Sequence, residues 1–220
     1  MNNFKAVIFD MDGLLLDSER VSYEAFVAAC RELKLHDLSS IFYNCIGTNP
    51  EKGRKTLENG LRHIVDVDSF CSAWDSNLKS IIERDPIPLK AGVIEVLDYF
   101  SAKNTPMAVA TSAVTKCAER KLFDSGILHY FEFIIGGDQV SNSKPHPEVY
   151  LNATRRFSVK PSDCLALEDS ENGVRSAVAA GMTVVQIPDL LRPSKELISL
   201  GHIILKSLSE VSAYNFEGNK

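Results

Sequence analysis

Apolar residues in this chain occur in short runs that end at polar or glycine residues. The runs cover residues 6–9, 107–110, 131–135, 164–167, 183–187 and 203–205. They are rich in Val, Ile and Leu and lack polar alternation, which is typical of strands buried on both faces of a sheet. Segments with helical spacing separate them, so we predict parallel strands joined by crossover helices.

Three of the connecting segments show the apolar spacing of an amphipathic helix. They lie near residues 93–100, 114–125 and 171–180, and the last two are followed by Gly126 and Gly181. A glycine just past the last helical residue is typical of a helix C-terminus. The pattern therefore predicts an α/β fold with a doubly wound, mostly parallel sheet, as in a Rossmann-like core.

One long segment breaks this alternation. No strand pattern occurs from about residue 17 to residue 86, where apolar stripes around Phe26 and Trp74 have helical spacing. We interpret the segment as an α-helical insert, and we expect the Trp74 stripe to pack in its interior. The predicted domains are an α/β core of residues 1–16 and 88–220 and a helical cap domain of residues 17–87.

Composition excludes several classes of protein. The 220 residues are 45% hydrophobic and 24% charged, which is typical of a globular protein and too apolar for disorder. The formal net charge of -5 lacks the basic excess of a nucleic-acid binder. No stretch approaches the ~20 apolar residues of a membrane helix. We expect neither a nucleic-acid partner nor a membrane partner, and a monomer or a weak dimer.

The cysteines are scattered along the chain. Their number is odd and their spacing contains no CxxC pair, which argues against a zinc ribbon and against a secreted disulfide framework. Isolated thiols suit a reducing cytosol. The first apolar run is also too short for the core of a signal peptide. We therefore predict a cytoplasmic protein.

Two carboxylates follow the first predicted strand. Asp10 and Asp12 stand at i and i+2, so they share one side of an extended chain, and Gly13 permits a sharp exit. Open α/β sheets bind ligands at the carboxyl ends of their strands. Close acids repel each other, and a hard cation such as Mg²⁺ relieves that repulsion. An ordinary turn is the alternative interpretation of this segment.

A second pair of acids, Glu168 and Asp169, ends another apolar run. One alternative makes either acid the N-cap of the following helix. Two strands that both end in acids favour a shared metal site. Neighbouring residues on a strand point to opposite faces, so we expect Asp169 to bind the metal directly and Glu168 to support it.

Hydroxyls and a lysine complete the set of polar residues. Thr111 and Ser112 follow the apolar run of residues 107–110. Hydroxyl and backbone N–H groups at that point can hold phosphate oxygens or cap the next helix. Lys144 lies before the stiff Pro145-His146-Pro147 segment, which can aim its ammonium at an anion. The sequence leaves the isomer of the Lys144–Pro145 bond open.

These segments resemble the motifs of a known family. Residues 7–19 resemble the first motif of the haloacid dehalogenase-like hydrolase superfamily. Residues 111–112, 143–148 and 168–170 resemble its second, third and fourth motifs, in the same order. The helical segment after the first motif resembles the cap of the branch that contains β-phosphoglucomutases, phosphoglycolate phosphatases and sugar-phosphate phosphatases.

The resemblance implies a Mg²⁺-dependent phosphatase. Asp10 is implied as the nucleophile that forms an aspartyl-phosphate, and Asp12 as the general acid and base. The implied metal site comprises the Asp10 carboxylate, the Asp12 backbone carbonyl and Asp169, with Glu168 in support. Thr111, Ser112 and Lys144 are implied to hold the phosphate oxygens. The implied partner is a small phosphorylated metabolite, and a sugar phosphate is favoured.

Two positions narrow the choice within the superfamily. Haloacid dehalogenases lack the second acid of the first motif, so Asp12 favours phosphate esters. β-Phosphoglucomutases carry a His that restrains hydrolysis of their phospho-enzyme, and this chain has Ser22 at that position. Hydrolysis is therefore favoured, and a phosphomutase is the alternative. The loop of residues 47–52 lies where such caps select substrates, and Lys52, Arg54 and Lys79 are possible cap contacts.

Other classes fit less well. Receiver domains also cluster Asp, Thr or Ser and Lys around Mg²⁺, but they are about half this length and lack the insert. A catalytically silent binding protein is disfavoured because the acids and Lys144 are all present. A dinucleotide-binding protein is disfavoured because no GxGxxG follows the first strand.

Overall fold

The computed structural model describes residues 4–46 and 50–216. Its strands are β1 (Ala6–Phe9), β2 (Met107–Ala110), β3 (Phe133–Ile135), β4 (Cys164–Glu168), β5 (Thr183–Gln186) and β6 (Ile203–Ile204). Its α-helices are α1 (Ser18–Glu32), α2 (Ser39–Cys45), α3 (Pro50–Leu61), α4 (Val67–Arg84), α5 (Val93–Ala102), α6 (Thr115–Asp124), α7 (Glu148–Arg156), α8 (Glu171–Ala179) and α9 (Lys195–Ile198). Within the described ranges, no helix is long and apolar enough to cross a membrane.

The strands form one sheet in the order β3-β2-β1-β4-β5-β6, and each adjacent pair is parallel. This arrangement confirms the predicted α/β, doubly wound fold class. At the centre, Phe9 of β1 pairs with Val109 of β2 and with Leu167 of β4. The chain builds outward on one side of β1 and then crosses to β4 on the other side. That reversal creates a crevice at the carboxyl ends of β1 and β4, where such sheets bind ligands.

The chain divides into two compact units. One comprises Met1–Leu16 with Pro88–Lys220, and the other comprises Asp17–Ile87. Every strand within residues 4–46 and 50–216 lies in the first unit, whereas the described part of the second unit is helical. The first unit therefore supplies the strand ends at which sequence analysis places the polar residues.

The interior of the α/β unit explains why the central strand is apolar throughout. All four residues of β1 are fully buried. Phe9 packs edge-to-face against Phe100 and Phe131, with centroid separations of 6.4 and 5.8 Å. Ile8 belongs to the buried cluster that also contains Tyr150 and Val174. Burial of each large side chain contributes roughly 1.5–3 kcal/mol, so this strand is a firm base for the residues that follow it.

Aromatic side chains fill the interior of the helical unit. Phe26 of α1 contacts Phe42 of α2 and both Phe70 and Trp74 of α4, with ring centroids 5.1–5.4 Å apart. The Trp74 indole N–H donates to the Ser22 backbone carbonyl at 3.0 Å. The prediction that the Trp74 stripe packs inside the insert is confirmed, because Trp74 joins α4 to α1.

Strand boundaries differ from the sequence pattern at two places. The predicted strand of residues 131–135 begins only at Phe133, because residues 128–130 form a 3₁₀ turn and the Phe131 N–H donates to Leu128. β4 extends one residue beyond its apolar run, because Glu168 pairs with Gln186 of β5. A carboxylate thus occupies the last position of a fully buried strand.

Candidate active site

The polar residues predicted from the sequence gather at one edge of the sheet. Asp10 directly follows β1, Thr111 follows β2, and Glu168 ends β4. These three strands are neighbours, so their carboxyl ends lie side by side. Lys144 reaches the same place from the loop before α7. Parallel topology therefore brings together side chains that lie up to 158 positions apart in the chain.

The turn after β1 fixes the position of Asp10. The Asp10 N–H donates to the Leu167 carbonyl of β4 at 2.9 Å and so continues the ladder beyond the strand. Gly13 has a φ of +86°, a backbone conformation that residues other than glycine rarely adopt. A Cβ at this position would also overlap the Asp169 carboxylate. Glycine is therefore required for the first acidic segment to approach the second.

Lys144 lies buried between two acids. Its Nζ donates to Asp10 Oδ1 at 2.5 Å and to Glu168 Oε1 at 2.6 Å. A third bond, at 3.0 Å, goes to the Ala110 carbonyl at the end of β2. The Lys144–Pro145 bond is cis, which the sequence left open. An ammonium has three N–H donors, so this cluster uses all of them.

The protonation of these groups reflects their burial. Desolvation raises the pKa of Asp10 to about 7, while the charge of Lys144 opposes the rise and that of Glu168 adds to it. Burial alone would lower the pKa of Lys144, but the Asp10 and Glu168 charges outweigh it and raise the pKa above its usual value. Lys144 therefore stays protonated beside the carboxyl groups of Asp10, Glu168 and Asp169. The acids outnumber this one lysine, so the site favours the binding of a further cation.

Glu168 is fully buried and is held from several directions. Tyr150 of α7 donates its hydroxyl to Glu168 Oε1 at 2.5 Å. The Asp169 N–H and the Ser170 N–H and hydroxyl approach Oε2 at 3.2–3.4 Å. Desolvation, together with the Glu168 charge, raises the pKa of Tyr150 well above its usual value, so it remains a donor. The Glu168 carboxylate is thereby fixed in one orientation.

Three carboxylates form a group that suits a divalent cation. Asp10, Glu168 and Asp169 each offer an oxygen within 4.8 Å of the others. Oxygen-only donors of this kind favour Mg²⁺ or Ca²⁺ over softer metals. Because Lys144 and Tyr150 already occupy Glu168 Oε1, the arrangement favours Asp10 and Asp169 as direct ligands. The ligand assignment stays a prediction, and the donor set is compatible with it.

Asp12 lies apart from this group of carboxylates. Its Oδ1 accepts a 2.8 Å hydrogen bond from Lys121 of α6. The side chain of Asp12 is 31% exposed, whereas Asp10 is buried. The two acids of the first motif therefore have different surroundings. The predicted metal contact of Asp12 is through its backbone carbonyl, and it stays a prediction.

Thr111 and Ser112 stand beside Asp10 on the neighbouring strand end. The Thr111 N–H donates to the Ile135 carbonyl at 3.0 Å, and its Oγ1 accepts from the Ala113 N–H at 3.1 Å. Thr111 is buried, whereas Ser112 is exposed. Their position fits the predicted contacts to phosphate oxygens, which stay a prediction.

The helix-capping alternatives for these residues are wrong. The N-cap position of α6 is Val114, and it makes no side-chain capping bond. At α8 the cap is Ser170, whose Oγ accepts from the Gly173 N–H at 3.2 Å. Glu168 and Asp169 precede that cap, so their carboxylates remain directed to the site. The same serine also donates to Glu168, and it therefore links the helix to the acid cluster.

The sequence did not reveal three residues that shape the site. Tyr150 has a detectable signal, because a tyrosine on the buried face of a helix needs a partner for its hydroxyl. Gly173 lies so close to the Glu168 carboxylate that a Cβ would overlap it, and its signal is a glycine three residues after the Ser170 cap. Lys121 has none, because 109 residues separate it from Asp12.

The possible cap contacts are partly accounted for within the helical unit. Arg54 donates to Glu58 and to Asp68, both at 2.8 Å. Lys79 lies 3.8 Å from Glu83. Surface ion pairs explain both cations without a ligand. Residues 47–49 of the predicted substrate-selecting loop lie outside the described residues.

Comparison with known proteins gives relatives along nearly the whole chain. A Thermotoga maritima protein named phosphorylated carbohydrates phosphatase is 29% identical over 208 residues, which cover 94% of this chain and 96% of that protein. The fructose-1-phosphate phosphatase of Escherichia coli K12 is 29% identical over 192 residues, covering 84% and 96%. Each relative is a protein that this chain is similar to, at moderate identity.

The fold has close counterparts among solved structures. A hydrolase from Deinococcus radiodurans, solved with bound phosphate and sodium, superposes with a TM-score of 0.80 at 25% identity, covering 96% of this chain and 94% of that one. Residues 7–187 match the family described as haloacid dehalogenase-like hydrolase, and the match includes every site residue named above. The chain therefore belongs to the haloacid dehalogenase-like hydrolases.

Proposed function

We propose that this protein is a Mg²⁺-dependent phosphatase that hydrolyses a small phosphorylated metabolite through an aspartyl-phosphate. The observation that carries the proposal is the buried Asp10 carboxylate, which lies 2.5 Å from Lys144 Nζ at the carboxyl end of the central strand. A carboxylate held in one orientation by a cation is suited to in-line attack. The second acid, Asp12, lies two residues away and outside the buried group.

Asp10 and Asp169 would hold the magnesium ion, with the Asp12 backbone carbonyl as a further ligand. Glu168 would brace the site through its bonds to Lys144 and to Ser170. When bound, the ion neutralises negative charge on the phosphoryl group and on the acids that surround it. The carboxylate oxygens of Asp10, Glu168 and Asp169 are donors that suit this ion.

Asp10 and Asp12 divide the chemistry between them. An Asp10 oxygen forms a bond to phosphorus while the bond from phosphorus to the leaving oxygen breaks. Asp12 gives its proton to that leaving oxygen, so an alcohol departs. Asp12 then takes a proton from the water that attacks the aspartyl-phosphate, which releases phosphate and restores both carboxyl groups.

The remaining polar groups would hold the phosphoryl oxygens. Thr111 and the Ser112 N–H lie on the strand end next to Asp10. All three Lys144 donors are used within the protein, so contact with phosphate requires the exchange of one of those bonds. Its bond to Asp10 is the natural one to exchange, because Asp10 loses its negative charge at the attacking oxygen as the aspartyl-phosphate forms.

We favour a sugar phosphate as the substrate. Support comes from the relatives named for phosphorylated carbohydrates and for fructose 1-phosphate. A small hydroxylated leaving group also matches the polar residues of the 47–52 segment, whose last three positions form the start of α3. We assign residues 17–87 the role of a cap domain that selects the substrate and limits the access of water.

A phosphomutase of the β-phosphoglucomutase type is the second candidate. β-Phosphoglucomutases carry a His at the position that corresponds to Ser22 of this chain. Ser22 lies on α1. Serine has no imidazole ring with which to restrain the attack of water on the phospho-enzyme. Hydrolysis is therefore favoured over transfer to a second hydroxyl.

A panel of phosphorylated metabolites, assayed with Mg²⁺ for phosphate release, tests the proposal. The purified wild-type protein should release phosphate from at least one sugar phosphate, and the same preparation of Asp10→Asn should not. Detection of isomerised sugar phosphate without free phosphate would favour the mutase. Absence of either product across sugar, nucleotide and glycolate phosphates would overturn the proposed function.

A further inference from the structure

Lys121 is a cation at the edge of the site that the proposed chemistry has not used. It lies on α6, the helix that follows the Thr111–Ser112 segment. The buried residues of that helix are Ala118 and Leu122. Lys121 stands three positions after Ala118, so its stem runs beside the buried face and its side chain is only 27% exposed.

The Lys121 ammonium contacts the Asp12 carboxylate and joins distant parts of the chain. Its Nζ donates to Asp12 Oδ1 at 2.8 Å, across 109 residues of sequence. Among residues 4–46 and 50–216, it is the side chain that donates to this carboxylate. Lys144, the other cation of the site, contacts Asp10 and Glu168 instead. Each acid of the first motif therefore has its own lysine.

The neighbouring cations on α6 behave differently. Arg120 donates at 2.6 Å to Asp124 of its own helix, and its side chain is 76% exposed. Lys116 is exposed on the first turn. A pair as solvated as Lys121 and Asp12 contributes little to stability. The contact matters for where it holds the Asp12 carboxylate.

The backbone around Asp12 is already fixed, so its side-chain torsion is the remaining freedom. The Gly13 N–H donates to the Leu16 carbonyl at 2.9 Å, and the Leu15 and Leu16 N–H groups donate to Met11. A partly exposed aspartate on such a turn populates several staggered rotamers. A hydrogen bond from a fixed helix selects one of them.

We propose that Lys121 is a positioning residue for Asp12 that holds the proton-carrying carboxylate in its working orientation. The inference rests on the proposed function, because it takes Asp12 as the group that protonates the leaving oxygen. Loss of the contact leaves Asp12 present but poorly aimed. The first chemical step then slows most for substrates whose leaving group needs a proton.

Two aryl phosphates of similar shape isolate this effect. 4-Nitrophenolate departs without a proton, whereas phenolate is more basic and gains from protonation. The ratio of kcat/KM for phenyl phosphate to kcat/KM for 4-nitrophenyl phosphate therefore measures the use of Asp12 as an acid. Differences in binding largely cancel in this ratio, and kcat/KM reports only the steps up to departure of the phenol.

The experiment compares Lys121→Met with Lys121→Arg, Asp12→Asn and the exposed control Lys116→Met. We expect Asp12→Asn to lower the ratio by at least about hundredfold and Lys121→Met to lower it about tenfold, because a misaimed acid loses part of its effect. Lys121→Arg keeps a donor and should recover most of the ratio. Lys116→Met should match the wild-type protein, and thermal unfolding should confirm that all four variants are folded.

The outcomes separate the two claims. An unchanged ratio in Lys121→Met beside a low ratio in Asp12→Asn overturns the positioning role and leaves the proposed function intact. An unchanged ratio in Asp12→Asn overturns the acid role of Asp12, and the inference about Lys121 fails with it. Equal losses on both substrates in Lys121→Met show a structural role and also overturn the inference.

Discussion

The Tyr150 hydroxyl donates a 2.5 Å hydrogen bond to Glu168 Oε1, the same oxygen that Lys144 contacts at 2.6 Å. Tyr150 is fully buried and lies only six residues after Lys144, on the first turn of α7. Helix α7 follows the loop that carries Lys144, and its Tyr150 hydroxyl donates to Glu168, the acid that Lys144 also contacts. These bonds connect α7 to β4, and Lys144 links them to Asp10, the proposed nucleophile.

Removal of the hydroxyl in Tyr150→Phe should weaken the site without removing any proposed ligand. A hydrogen bond to a charged group contributes about 1.5–3 kcal/mol, so we expect a loss of that order in the free energy of unfolding. Loss of a supporting hydrogen bond at a metal site typically costs roughly tenfold in activity or metal affinity. Urea unfolding and the Mg²⁺ dependence of phosphate release measure the two effects.

Tyr130→Phe is the matched control for that change. Its hydroxyl also donates to a carboxylate, Asp98, at 2.6 Å, but on an exposed part of the α/β unit. We expect it to change neither activity nor Mg²⁺ dependence. Equal behaviour of the two phenylalanine variants would show that the bond to Glu168 has no part in supporting the site.

The variant Asp10→Asn should abolish turnover and leave the protein folded. Asn keeps the shape of the side chain but is too weak a nucleophile to form the acyl phosphate. Lys144 keeps its bonds to Glu168 and to the Ala110 carbonyl, so the buried ammonium retains partners. Phosphate release and circular dichroism measure the two properties.

The variant Asp163→Asn, which changes the acid that pairs with Lys5, is the control for Asp10→Asn. It should keep wild-type activity. Turnover by Asp10→Asn within about tenfold of wild type would contradict the assignment of the nucleophile, because loss of a nucleophile costs far more than that.

The variant Gly173→Ala should impair the site although alanine favours helices by about 1 kcal/mol. The added Cβ would overlap the Glu168 carboxylate, which Lys144 and Tyr150 hold in place. We expect a loss of roughly tenfold or more in Mg²⁺-dependent activity, as for other changes behind a metal site. Kinetics at several Mg²⁺ concentrations measure it.

A second helical glycine provides the comparison. A Cβ at Gly60 of α3 would come 2.8 Å from Cδ1 and 2.9 Å from Cγ1 of Ile41, an apolar side chain of the helical unit that takes no part in the acid cluster. Gly60→Ala should therefore leave the apparent Mg²⁺ affinity unchanged. If Gly173→Ala also kept wild-type Mg²⁺ affinity and activity, Glu168 would have room to move and its proposed bracing role would be contradicted.

Chelation should silence the protein. With EDTA we expect phosphate release to fall to background, because the cluster of acids then repels the phosphate dianion, and excess Mg²⁺ should restore it. Asp169→Asn should need a higher Mg²⁺ concentration for half-maximal activity. Glu171→Gln, which changes an acid two positions away that pairs with Arg175, should not. Activity indifferent to EDTA would remove the metal from the mechanism.

The sheet and the acids at its edge were predictable from the sequence because their signals are local. Runs of Val, Ile and Leu indicate buried strands. An acid at the end of such a run lies at the carboxyl edge of the sheet, where α/β folds bind their ligands. Asp10 and Glu168 could be paired in advance for that reason. Strand ends were less certain, as Phe131 shows, because a 3₁₀ turn and a strand start have similar apolar content.

The partners of the charged groups could not be predicted, because they depend on which surfaces meet after folding. Nothing near Lys121 in the chain distinguishes it from Arg120, yet one contacts Asp12 and the other contacts its own helix. The same holds for Lys144, whose three shortest hydrogen bonds go to acceptors in three different segments. Composition and spacing identify which residues are polar, and the packing of helices on the sheet decides what they touch.

The convergence of donors on Glu168 makes its length matter as much as its charge. Its two oxygens accept hydrogen bonds from Lys144 in a loop, from Tyr150 of α7, and from Asp169 and Ser170 between β4 and α8. Aspartate is one methylene shorter, so its carboxylate would lie farther from these donors. Their positions are fixed by the fold, and we expect the hydrogen bonds to be lost. A saturation scan of this position should therefore find the chemically closest replacement nearly as damaging as a neutral one, so that conventional similarity between amino acids is a poor guide here.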